Sequence, residues 1–280
     1  MFVSFDLVPN PSALSVLLSF VHDIAAGYPL NPYHSFLHAA DVTYVLYYAL
    51  ADLGELGAKL DRVEIAALLI GALSHDVLHP GLNNLYQVNA QTELAKLYND
   101  TSVLESHSSV HVEHLLRTHS LLPLLSFGNE ATTGDAPQRV QDLVVEAILF
   151  TDMSHHFALL EQLGGLVESA LKRRGPRRGR ERMVNILLHG ADISNAARPF
   201  EICRRWSDMV VEEFFMQGEQ EKRMNLPVSP NMDRQTTNPT QTALDFNEYL
   251  VHPYFSLLTD LLPSLEPFCT LLVENSREWK

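Results

Sequence analysis

Apolar residues recur at helical spacing through almost the whole of this sequence, and no other feature constrains its fold as strongly. Leu14, Leu17, Leu18 and Val21 share one helical face behind Asn10-Pro11, an N-cap followed by proline at the first helical position. Asp61 to Glu64 reads as a capping-box variant that leads into Ile65, Leu68, Leu69 and Leu73. The same period predicts helices around residues 36–56, 91–100, 102–121, 137–150, 155–173, 181–194, 199–216, 241–251 and 253–274. Alternating apolar and polar runs bounded by glycine-rich turns are missing, so strands have no support. The expected fold is all-α, a compact multi-helix arrangement. No internal repeat or long low-complexity linker divides the 280 residues, which favours one domain over 1–280.

Two segments read as surface loops. Gly128 to Pro137 is polar and turn-rich. Lys172 to Arg182 holds seven of the chain's 20 basic residues, with two glycines and a proline, and reads as a solvated helix connection. The chain carries 34 acidic residues and a net charge of −14, which argues against binding a nucleic-acid polymer and against a polybasic membrane anchor. The apolar run from Val63 to Leu73 falls short of the ~20 residues that span a bilayer, so no transmembrane segment is expected. Cys203 and Cys269 are too few for a disulfide framework and suit a reducing compartment. The first Lys or Arg is Lys59, so the basic region of a secretory signal is missing and the cytoplasm is the expected location.

Against this background, the 13 histidines and several neighbouring acids are unusual. If helical, His34 and His38 lie one turn apart, and His75 and His79 repeat that spacing, with Asp76 beside them. Pro80-Gly81 then ends or turns the helix. His189 to Asn195 places Asp192 at the end of an apolar run, and Thr151 to Phe157 adds Asp152, His155 and His156. Each cluster alone reads more readily as structure than as a metal site. Together they are harder to dismiss, because burying several titratable groups without partners is costly. Imidazole with carboxylate suits zinc or another first-row divalent ion, and an oxygen-rich neighbour suits magnesium or manganese. The residues alone therefore favour a binuclear metal hydrolase.

Seven segments also occur in one recognisable order: YHSFLHAADV, HDVLHPGLNN, LYNDTSVLESH, TDMSHHF, HGADISNAARPF, EEFFMQGEQEKRMNLPVSPNMDR and FNEYLVHPYF. Over essentially its whole length the chain resembles the catalytic domain of class I cyclic nucleotide phosphodiesterases. The resemblance implies an all-helical HD-type domain with a pocket over two divalent ions. His38, His75, Asp76 and Asp192 would hold the tighter ion, zinc, and Asp76 would bridge to magnesium or manganese. His79, Glu105 and Thr151 would hold that second ion's waters. Two such ions can share a hydroxide for in-line attack on a phosphate. His34 would act as the acid that protonates the departing 3′ oxygen. Tyr33, Met153, Ile193, Asn195, Val210, Phe214 and Phe246 would bind substrate, with Phe246 on one face of the base and Val210 and Phe214 on the other. The implied reaction is hydrolysis of cyclic AMP, cyclic GMP or both to the 5′-monophosphate. A homodimer, and regulatory domains flanking this chain, are compatible with the resemblance.

The sequence departs from the family's pattern in places. The base-binding glutamine is expected three residues before Phe246, where Ala243 stands; Gln241 would need a local shift to substitute. Losing that amide removes a directional contact and predicts weaker or less selective base binding. Ser35 and Leu78 replace a customary asparagine and aspartate, neither an expected metal ligand, and the N-terminal helices are short for the family. Ala243 keeps two alternatives open: a metal-dependent hydrolase of another phosphodiester, and a catalytically weak domain that binds nucleotide or a regulatory partner.

Overall fold

A computed structural model describes residues 1–54, 56–57, 59–128, 134–171 and 180–280. Among the described residues there is no strand. Helix α1 (Pro11–Ala26) begins as its sequence dictates, with the Asn10 side chain accepting the Ala13 N–H at 2.9 Å. After α2 (Phe36–Tyr47), α3 (Arg62–Ser74) opens on a reciprocal capping box. Asp61 accepts the Glu64 N–H and Glu64 accepts the Asp61 N–H, both at 2.8 Å. Short helices α4 (Asn84–Asn89) and α5 (Glu93–Leu97) lead to α6 (Val103–Thr118) and α7 (Ala136–Leu149). They are followed by α8 (His156–Leu171), α9 (Arg180–Asp192) and the long α10 (Phe200–Arg223). The chain closes with α11 (Pro239–Phe246), α12 (His252–Leu261) and α13 (Glu266–Trp279).

The organising element is α3. Its apolar residues are distributed all round rather than along one stripe, and nearly every one of them is buried. It packs against α2, α7 and α9, and the core formed around it runs without a break from Phe2 to Leu272. The Val63–Leu73 run thus belongs to a core helix. No single helix among the described residues is long and apolar enough to cross a membrane.

Several predicted helices differ in extent, each for a local reason. The 36–56 prediction covers α2 and a wider π turn at Tyr48–Asp52. The 241–251 prediction begins two residues early, at Pro239 behind its Asn238 cap, and likewise ends in a π turn at Asn247–Val251. Residues 253–274 are two helices, because Pro263 lacks an N–H and holds Leu262 out of the helical region at φ −134° and ψ 79°. The 199–216 prediction stops short of Arg223, since the polar end of α10 carries no apolar period. Helix α4 was unforeseen; Asn83 caps it by accepting the Tyr86 N–H at 2.9 Å. The Gly128–Pro137 loop falls partly outside the described residues, and Pro137 lies in the first turn of α7. Most of Lys172–Arg182 lies outside them too, and its last three positions begin α9.

Helix α10 passes so close to the following segment that a Cβ at Gly218 would lie 1.9 Å from the Met232 carbonyl oxygen. That oxygen is backbone and cannot swing aside. Gly218→Ala is expected to cost about 1–3 kcal/mol in urea-induced unfolding, and an unchanged midpoint would disprove the close approach.

Candidate active site

Three helix ends deliver the central cluster. His38 lies in the first turn of α2, His75 and Asp76 follow the last residue of α3, and Asp192 is the last residue of α9. One donor atom from each of the four lies within 4.8 Å of all the others. His38 Nε2 is 2.9 Å from Asp192 Oδ1 and 3.7 Å from Asp76 Oδ2. His75 Nε2 is 3.0 Å from Asp76 Oδ2 and 3.3 Å from Asp192 Oδ1. Both imidazoles are almost wholly buried.

These atoms fit a metal ion. His75 Nδ1 donates to the Ala72 carbonyl at 3.0 Å, which leaves a lone pair on Nε2 facing the carboxylates. Neither carboxylate lies along a hydrogen-bonding direction from Nε2, which is buried without a hydrogen-bond partner. A lone pair and two carboxylate oxygens crowded together need a cation between them. The electrostatics show the same demand for positive charge at this point. Burial would lower the His75 pKa, but the charges of Asp76 and Asp192 lift it well above its usual value. Burial would raise both acids, yet His75 foremost holds them well below the carboxylate range.

Beside this cluster lies a second one. The spacing of His34 and His38 suggested one helical turn, but α2 starts only at Phe36, so His34 sits in the loop before it. His75 and His79 likewise share no helix, because α3 ends at Ser74 and the chain reverses through Leu78 at φ 67°, before Pro80-Gly81. The histidines still converge, since tertiary contacts hold both loops. Asn31 donates to the carbonyls of His34 and His79 at 2.9 and 2.7 Å. Glu213 of α10 accepts the Tyr33 and His34 N–H groups at 2.9 and 3.0 Å, and pairs through its other oxygen with His34 Nδ1. The His34 and His79 rings stack at 3.9 Å.

The two imidazoles carry different protons. Burial alone would lower the His34 pKa, but Glu213 and then Asp76 raise it to about 9. Burial and the neighbouring His34 charge push His79 down to about 3. His79 Nδ1 accepts the Gly81 N–H at 3.0 Å, so neutral His79 carries its proton on Nε2 and serves as a donor. With His34 Nδ1 and His79 Nδ1 so engaged, His34, His79 and Glu213 make a proton-holding group rather than a second cation cage.

Both clusters border a cavity of about 330 Å³. A model of the family described as 3′5′-cyclic nucleotide phosphodiesterase matches residues 33–272. The chain belongs to that family. It is 34% identical over 277 residues to the dual specificity calcium/calmodulin-dependent 3′,5′-cyclic nucleotide phosphodiesterase 1C of Mus musculus, covering 98% of this chain and 37% of that protein. It is 34% identical over 268 residues to the cGMP-specific 3′,5′-cGMP phosphodiesterase 3 of Dictyostelium discoideum, covering 95% of this chain and 55% of that one. The chain thus spans between about a third and about half the length of these relatives. The crystal structure of the phosphodiesterase domain of the RhoPDE fusion protein from the choanoflagellate Salpingoeca rosetta superposes with a TM-score of 0.85 at 29% identity, over 99% of this chain and 85% of that one.

The cavity gathers nearly all the residues singled out in the sequence. Tyr33, His34, Asp76, His79, Glu105, Thr151, Met153, Asp192, Ile193, Val210, Phe214 and Phe246 line it. Burial and then Asp152 raise the Glu105 pKa to about 7, while Asn84 donates to its carboxylate at 2.9 Å. The Thr151 hydroxyl donates to the Ile148 carbonyl at 2.7 Å. A smaller chamber of about 110 Å³ adjoins the cavity across Tyr33, Val210, Phe214 and Phe246, and there Asn195 and Ala243 lie. Asn195 donates its amide to the Tyr33 hydroxyl. Gln241 does not reach either space: it is exposed, with its amide donating to Asp245 at 2.7 Å. The structure therefore corrects the suggestion that Gln241 stands in for Ala243.

Glu213 was missed by the sequence reading, as were Asn31 and Asn84. A signal for Glu213 existed: it shares a helical face with Val210 and Gln217, an acid on an inward-facing stripe. Asp192→Ala and His75→Ala are each expected to weaken divalent-cation binding at least about tenfold in equilibrium dialysis, the lower end of what even outer partners contribute. Unchanged affinity would place the cation elsewhere.

Proposed function

We propose that this chain hydrolyses a 3′,5′-cyclic nucleotide to the 5′-monophosphate. The observation that carries this reading is the convergence of His38, His75, Asp76 and Asp192 beside a carboxylate-paired His34, on one cavity with an apolar slot. His38, His75, Asp76 and Asp192 would hold zinc, with Asp76 shared towards magnesium or manganese. When bound, such ions supply Lewis acidity and neutralise phosphate charge. His79, Glu105 and Thr151 border the space beside Asp76, where they can orient water.

His34 is the group suited to proton donation. Its Nδ1 is committed to Glu213, which leaves Nε2 to deliver a proton to the departing 3′ oxygen. The Glu213 charge keeps the ring protonated at neutral pH, and the hydrogen bond fixes its orientation. Phe246, Val210 and Phe214 form the walls that take the flat base, with Met153 and Ile193 beside them. Ala243 offers the base no directional partner, so recognition rests on shape and stacking, with Asn195 and Tyr33 as the nearest polar groups. This favours similar use of adenine and guanine substrates. Cys203 and Cys269 are both unpaired, in keeping with a cytoplasmic setting.

The deciding experiment is hydrolysis of cyclic AMP and cyclic GMP with added magnesium or manganese, before and after chelation. Turnover of both, lost on chelation and in Asp192→Ala, is expected. Turnover that ignores either treatment would sink the mechanism, and a strong preference for a non-cyclic phosphodiester would replace the substrate.

The proton donor has its own signature in the pH profile. An acid must be protonated to act, so activity is retained below the His34 pKa and lost as pH rises through it. Glu213→Gln removes the charge that raises that pKa. The alkaline limb of kcat/KM should move to lower pH, with kcat at pH 8 falling by about tenfold or more. A limb that stays in place would assign the proton donor to another group.

A further inference from the structure

Beyond Asp192 the chain enters a 3₁₀ turn, Ile193–Ala197, and this turn is held from outside the cavity. Asn275 lies on α13 and is 1% exposed. Its side-chain amide donates to the Ala196 carbonyl and to the Arg198 carbonyl, both at 2.8 Å. Both amide hydrogens are thus committed to backbone oxygens on either side of Ala197. Arg198 continues the tie, donating to the Ser194 carbonyl at 3.2 Å and to Asp41 of α2 at 2.8 Å. One helical turn after Asn275, Trp279 lines the smaller chamber together with Trp206, Cys203 and Ala243. Its ring meets Phe200 edge-on at 5.0 Å.

We propose that Asn275 is a positioning residue of the substrate site. It fixes the 196–198 backbone, and through that backbone the placement of Asn195 against Tyr33 at the border of the two spaces. Asp192 is anchored separately, within α9 and against His38. Loosening the turn therefore displaces the base-facing wall while the cation cluster stays in place. The assignment rests on the proposed reading of this cavity as a nucleotide site.

Asn275→Leu keeps the branched shape and strips both carbonyls of their donor, and Asn275→Ser retains one hydroxyl donor. In folded, metal-loaded protein, Asn275→Leu is expected to raise KM for cyclic AMP about tenfold or more, with kcat changed less than about threefold and bound metal unchanged. Asn275→Ser should fall between it and the wild type. A second readout does not need turnover. The chain's two tryptophans, Trp206 and Trp279, both line the smaller chamber, so titration with adenosine 5′-monophosphate should change their emission. Half-saturation should shift by the same factor as KM. Loss of kcat and metal together with KM unmoved would reduce Asn275 to a fold-holding role, as would failure of both variants to fold. Wild-type protein that turns over no cyclic nucleotide would sink the activity reading instead, and the emission titration would still decide the positioning role.

Discussion

Two carboxylates, Asp76 and Asp192, meet two imidazoles where three helices of the core end. Everything else at the site follows from the need to keep that negative charge neutralised away from bulk water. An uncompensated buried charge of this kind would cost far more than a typical domain's net stability can absorb. A bound cation would resolve it, and His75 Nε2 faces the carboxylates accordingly. The close packing of α3 against α2 and α9 sets the spacing, so the site inherits its rigidity from the core.

Around that centre the same chemistry is divided by environment. His34 and His79 stack on one another, yet Glu213 makes one a proton carrier and burial keeps the other neutral. A backbone N–H from Gly81 fixes the tautomer of His79, and the Glu213 carboxylate fixes that of His34. The smaller chamber is built on a different logic. Aromatic and aliphatic walls predominate there, and Ala243 contributes no polar group to it. On the proposed function, the contrast separates a tightly specified reaction centre from a permissive recognition surface.

The sequence made much of this readable, unevenly. The α1 and α3 starts were visible because their caps are local, needing only Asn10 or Asp61 with Glu64. The break at Pro263 was missed because the apolar period continues across it, and α4 because six residues are too few to show a period. The residues of the cavity were identified through seven ordered motifs, and His38, His75, Asp76 and Asp192 do come within ligand distance of each other. Spacing alone misread how they do so. Neither His34 with His38 nor His75 with His79 forms one helical turn; Asn31, bonded to both the His34 and His79 carbonyls, and the distant Glu213, paired with His34, bring these loops together instead.

What the sequence determined by itself was the helical class, the capped starts of α1 and α3 and the identity of the chemical groups, because caps, periods and residue types act within a few positions. Only the tertiary structure decided which groups are paired, which protons they hold and where the cavity and its side chamber open. Glu213 is 179 residues from His34, and Asn275 is 79 from Ala196. At such separations no periodic pattern carries the contact. It exists only once the core has placed both ends, and it is there that the pKa of His34 and the fate of Gln241 are settled.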